Sequence, residues 1–180
     1  MGIGNRAALQ RDRWGVAHAR AATLADAYFA LGFAMGQDRL WQLDYLRRCV
    51  RGRLTEIMGM SCLASDRLMR TLGIAAAAER AAAAATPEIS EILAALTRGI
   101  NAAAEQAASN MPLEFEVIDY AFEPWAPADS IALWKWRWWI LSERMDLIAL
   151  QEVCKRHLPP NLLAAFLQVE AGEETIVPGM

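Results

Sequence analysis

The 180-residue sequence predicts an α+β chain that is mostly helical, with short strands confined to its N-terminus. Alternation with a period of two marks the first 22 residues, the spacing of a half-buried strand. From Thr23 onward, apolar residues recur at i, i+3 and i+4 and alanine accumulates, both signals of helix. Proline marks the joints between these segments, at Pro87, Pro112, Pro124, Pro127 and Pro159-Pro160. The chain therefore reads as one segment with a strand-forming N-terminus (1–22), a helical body (23–170) and an acidic C-terminal tail (171–180).

Taken in order, the chain around Leu9 and again from Trp14 to Arg20 reads as extended, with Gly15 as the turn. Thr23 and Asp26 form a capping-box variant that opens a long helix to about residue 57, punctuated by Gly52 and ended by Gly59. Gly32 and Gly36 lie one turn apart on its apolar face. Each interior glycine costs about 1 kcal/mol relative to alanine, so the pair predicts close approach of another backbone. An alanine-rich helix follows over 68–85. Thr86 caps the next, with Pro87 in its first position, and that helix runs to about Ser109. The alternation over 114–122 predicts a short strand or extended passage. A rigid turn, Glu123-Pro124-Trp125-Ala126-Pro127-Ala128-Asp129, leads into a helix over about 128–157, and Pro159-Pro160-Asn161 separates a last short helix.

Composition narrows the function. The chain is 55% hydrophobic with a net charge of −3 and a mean hydropathy of +0.14. That is apolar for a free-standing domain of this size and predicts a partner. No run approaches the roughly 20 apolar residues of a spanning helix, so no membrane partner is expected, and the charge leaves no footprint for nucleic acid. Arg47, Arg48, Arg51 and Arg53 read as a solvated or partner-facing helix end. Cys49, Cys62 and Cys154 lack metal-ligand spacing and read as small core residues; His18 and His157 read as structural or surface histidines.

Two blocks stand out. Gln37-Asp38-Arg39 sits inside an apolar helix, where buried polar groups must find partners. Leu133-Trp134-Lys135-Trp136-Arg137-Trp138-Trp139-Ile140-Leu141 concentrates tryptophan, as the wall of an apolar pocket or as a helix buried with its basic groups snorkelling. No nucleophile elbow, phosphate loop, zinc helix or Cys–His pair accompanies them, so no catalytic residue is assigned to this chain.

Arg11-Asp12-x-Trp14-Gly15-Val16, Ala25-Asp26, Phe29-Ala30-Leu31-Gly32, Gln37-Asp38-Arg39-Leu40-Trp41-Gln42, Arg47-Arg48 and Gly52-Arg53-Leu54-Thr55-Glu56 occur in one order. Leu113-Glu114-Phe115 and Glu123-Pro124-Trp125-x-Pro127-x-Asp129 follow. Together they resemble the N-terminal part of the penicillin acylase family over nearly the whole chain. Ala17 departs from the proline often found before His18. The resemblance implies a layered αββα N-terminal-nucleophile hydrolase, shared between this smaller α subunit and a β subunit cut from the same precursor.

The implied function is amide hydrolysis that removes an acyl group from a β-lactam, an acyl-homoserine lactone or a related amide. The nucleophilic serine would begin the β chain, its own amino group acting as base. By the same resemblance, Trp138, Trp139, Leu141 and Ser142 line the acyl pocket. Glu143 would give one oxygen to a structural calcium, with no cofactor needed for catalysis. Gln37-Asp38-Arg39 would be buried scaffold joining the two chains. The family implies a periplasmic location, whereas the N-terminus lacks a signal-peptide pattern and agrees with a cytoplasmic chain or a leader already removed. The rival reading is a non-catalytic helical binding or adapter module with a tryptophan-lined groove.

Overall fold

The computed structural model describes residues 7–142 and 144–168. They fall into two compact units that meet in sequence between Trp138 and Trp139. The first begins with a hairpin of β1 (Ala8–Arg11) and β2 (Ala17–Arg20), antiparallel, with Ala8 opposite Arg20 and Arg11 opposite Ala17. Asp12 builds the turn: its Oδ1 accepts from the Trp14 and Val16 amides at 2.8 and 3.0 Å, and Gly15 takes φ +79°.

Helix α1 (Leu24–Arg51) starts as its cap predicts, with Thr23 Oγ1 accepting from the Asp26 amide at 3.1 Å. It ends earlier than predicted. Gly52 adopts the left-handed conformation at φ 63° and returns its N–H to the Arg48 and Cys49 carbonyls, a closure that favours glycine. The remainder of the expected helix is a separate turn, α2 (Thr55–Met58), and a 3-10 turn follows over Met60–Cys62. Inside α1, Arg39 leaves the helical region at φ −139°, ψ 22°, and kinks the element.

The alanine-rich stretch is likewise two helices, α3 (Leu63–Leu72) and α4 (Ile74–Ala83), parted by Gly73 at φ 67°. Thr86 caps α5 (Pro87–Ala107). The predicted strand over 114–122 is instead a short helix, α6 (Leu113–Ile118), followed by irregular chain. Phe115 is buried there against Trp41, Tyr120 and Phe122. Aromatic packing decides such a segment, because six alternating residues carry too little periodicity to choose between periods. Then come α7 (Pro127–Ser142), α8 (Arg144–His157) and α9 (Pro160–Gln168). No helix among the described residues is long and apolar enough to cross a membrane.

Helices α1 and α5 pack backbone to backbone. A Cβ at Gly32 would strike the Leu96 carbonyl, and one at Gly99 would strike the Phe29 carbonyl and lie 2.7 Å from the Phe33 amide nitrogen. This close approach is what the Gly32–Gly36 spacing predicts. Around it, Leu43, Ile100 and Trp125 form the core, joined by Met35, Leu96, Phe122 and Leu133. Fully burying a side chain such as Ile100 contributes about 1.5–3 kcal/mol.

Candidate functional site

The second half of α1 carries a buried ionic clamp. Asp44 is fully buried and accepts from Arg47 three residues on and from Arg48 Nε four residues on, the latter at 2.9 Å. These spacings put both arginines on the face that Asp44 occupies. Arg47 then reaches across the chain: Nη1 donates to the Pro124 carbonyl at 3.0 Å and Nη2 to the Glu123 carbonyl at 2.9 Å. Its guanidinium also lies over the Phe122 and Trp125 rings, 5.1 and 5.2 Å from their centroids, a cation–π arrangement suited to a planar cation.

Arg53 grips the Glu123 carboxylate with both terminal nitrogens, at 2.9 and 2.7 Å, and holds Glu56 through Nε at 2.7 Å. Those Arg53 bonds drive the Glu123 carboxyl down to about 2 and lower Glu56 as well. Burial, reinforced by the nearby Asp44 carboxylate, pushes the Tyr120 hydroxyl up.

Asp129 completes the clamp. It is 2% exposed, and its Oδ1 accepts from Arg51 Nε at 2.8 Å while Arg47 Nη1 stands 3.5 Å from Oδ2. The same Oδ2 accepts from the Ala126 amide at 2.9 Å, closing the first turn of α7. Asn101 pins Trp125 from the other side, accepting its N–H at 2.7 Å and donating to its carbonyl at 3.0 Å. The segment leading into α7 is thus held by α1 and α5 together.

The clamp corrects the expectation of a solvated basic helix end, since Arg47 and Arg48 are buried and Arg51 and Arg53 only partly exposed. The overlooked signal was the acid set: Asp44, Glu56, Glu123 and Asp129 supply the matching carboxylates. Gln37, Asp38 and Arg39, expected as scaffold at the junction with a second chain, are exposed on this chain. Asp38 takes a two-point grip from Arg11, at 2.7 and 3.0 Å, and Gln37 Oε1 accepts from Arg11 at 3.3 Å. The row fastens the N-terminal hairpin to α1.

The pocket residues expected from the tryptophan block lie on α7. Trp134 and Trp138 stand 70% and 71% exposed, one helical turn apart. In the second unit, Leu141 and Ser142 are exposed and the Ser142 hydroxyl donates to the Trp139 carbonyl at 2.8 Å. Trp139 is half-buried, and its indole Nε1 is buried without a hydrogen-bond partner. Glu143 lies outside the described residues, as does the 171–180 tail. Among the described residues no group of three or more His, Cys, Asp or Glu side chains is placed to hold a metal ion. Cys49, Cys62 and Cys154 are free and half-buried rather than core, and exposed His18 pairs with Asp12 at 3.1 Å. Separately, α5, α6 and the following segment enclose a cleft of about 530 Å³ lined by Asn101, Glu105, Phe115, Tyr120 and Phe122.

Comparison with known proteins places this arrangement. The family model for penicillin amidase matches residues 6–174. Penicillin acylase 2 proenzyme of Pseudomonas sp. (strain SE83) is 39% identical over 125 residues, covering 69% of this chain and 16% of that protein. The acyl-homoserine lactone acylase QuiP of Pseudomonas aeruginosa is 33% identical over 129 residues, covering 72% of this chain and 15% of that protein. The chain thus spans only a small part of the length of these relatives. A solved thermostable penicillin G acylase from Alcaligenes faecalis has the same fold, with a TM-score of 0.72 and 23% identity, covering 97% of this chain and 96% of that chain. With a family model matching nearly its whole length and curated relatives at 39% and 33% identity, this chain belongs to the penicillin amidase family.

Proposed function

We propose that this chain is the α subunit of a heterodimeric acylase that hydrolyses the amide bond between an acyl group and a β-lactam, a homoserine lactone or a related amine. The observation that carries the reading is the family match over residues 6–174. It is supported by a relative named a proenzyme, matched over 16% of its length, and by the fold shared with a chain of a solved penicillin acylase. A precursor divided into a small and a large chain agrees with these similarities. The nucleophilic serine and its base lie, in this reading, on the larger chain.

In this reading the exposed face of α7, with Trp134 and Trp138, is covered in the assembly. Trp138, Trp139, Leu141 and Ser142 furnish a wall of the acyl pocket, where aromatic rings give rigid apolar contact. A calcium bound through Glu143 would need its other oxygens from outside the described residues, and no step of the reaction depends on it. A periplasmic location belongs to the same proposal.

Native mass spectrometry of the product of the complete gene tests the assignment. The expected result is this chain bound to a larger one that begins with serine. A single uncut polypeptide, or a lone soluble chain with full function, overturns it.

A further inference from the structure

We propose that Asp129 is a specificity-determining positioning residue, latching the start of α7 to α1 and so fixing where the tryptophan face of α7 stands. The proposal rests on the reading of that face as an acyl wall. Three features carry it. Asp129 is buried, yet both of its carboxylate oxygens are engaged outward from α7, Oδ1 with Arg51 at 2.8 Å and Oδ2 with Arg47 at 3.5 Å. Oδ2 also accepts the Ala126 amide at 2.9 Å, so one side chain couples the turn that starts the helix to the element that carries it. Finally, Arg47 holds the two carbonyls just before that turn, those of Glu123 and Pro124.

A helix is a rigid lever. Trp134 and Trp138 lie five and nine residues beyond Asp129, about 7.5 and 13.5 Å along the axis at about 1.5 Å per residue. A small change in tilt at the latch therefore becomes a larger displacement at the rings, and shifts on the scale of 1 Å alter substrate fit strongly. Asp129 touches no substrate in this scheme. It acts through the position of the rings, which predicts a change in acyl preference rather than a uniform loss.

The test uses the assembled enzyme and a series of amides with linear and aromatic acyl groups on one common amine. Asp129→Asn keeps the size and an acceptor for the Ala126 amide but removes the ionic latch. The ratio of kcat/KM between linear and aromatic donors should shift by about 3- to 30-fold, mostly through KM. Arg51→Gln, at a partly exposed position, should shift the same ratio in the same direction by less, and serves if the first variant fails to fold. Trp138→Ala is run alongside. If it changes the ranking while Asp129→Asn and Arg51→Gln lower every donor equally or not at all, the latch is overturned and the acyl wall stands. If Trp138→Ala leaves the ranking unchanged, the wall reading fails and the latch fails with it.

Discussion

Arg47 and Trp138 invert the usual rule of burial: the arginine is 4% exposed and the tryptophan 71%. Around Arg47 the buried charges Asp44, Arg48 and Asp129 all have partners inside the chain. On α7 the opposite holds, since Trp134 and Trp138, two large rings one turn apart, stand exposed among the described residues. A buried ion pair is weak evidence of net stability but strong evidence of specified geometry. An exposed pair of tryptophans is a surface awaiting contact. In the reading proposed above, the first region fixes where the second one points, and the second meets the partner chain.

The largest effect should come from the clamp. Arg47→Ala leaves Asp44 and Asp129 short of a cation and strips the cation–π contacts from Phe122 and Trp125; urea unfolding should show a loss of about 3–5 kcal/mol. A loss below 1 kcal/mol would mean that water already reaches this centre, and the contrast with α7 would weaken. Gly99→Ala separates steric from ionic fit, because its Cβ meets the Phe29 carbonyl with no charge involved. It should cost about 1–3 kcal/mol by overpacking.

Acid sharpens the comparison further. Glu123 falls from an ordinary 4.5 to about 2 in the folded chain, so its contribution is fully present above the ordinary carboxylate range and is lost as pH falls from there toward 2. Glu123→Gln should flatten that acid-side decline in urea midpoints, with an effect at neutral pH of about 1 kcal/mol or less, because the carboxylate is partly exposed. The smallest effect belongs to α7. Trp138→Ser should leave the unfolding free energy of the unassembled chain within about 0.5 kcal/mol. A cost rivalling that of Arg47→Ala would break the comparison by showing the ring to be packed.

Much of this was legible in the residues themselves. The hairpin, the Thr23 and Thr86 caps, the glycine-spaced contact of α1 and the joints at Pro87 and Pro127 all follow from local rules, and the ordered motifs resemble a family the comparisons then show. The misreading of the basic cluster has one physical cause, which is that its pairing partners lie far apart in sequence. Arg47 meets Glu123 and Asp129 across some eighty residues, so a local window sees only a basic cluster. The helices expected to about residue 57 and over 68–85 run through Gly52 and Gly73, whereas each of these glycines adopts a positive φ that ends a helix. The strand or extended passage expected over 114–122 opens instead with α6, where Phe115 packs into an aromatic cluster with Trp41 and Tyr120. The pocket assignment to Trp138, Trp139, Leu141 and Ser142 remains tied to a partner, because a wall becomes a pocket only when something faces it.

The contact at Gly32 and Gly99 has a mechanical consequence. Where two helices touch through their main chains, no side chain can swing to another rotamer and let the interface slip, so α1 and α5 should behave as a single stiff beam. Native-state hydrogen exchange should find its slowest amides along that seam, in the turns around Phe33 and Ile100, with the exposed stretch of α7 exchanging sooner. A stiff beam under the clamp means that strain applied at the far side of the chain reaches the start of α7 with little loss.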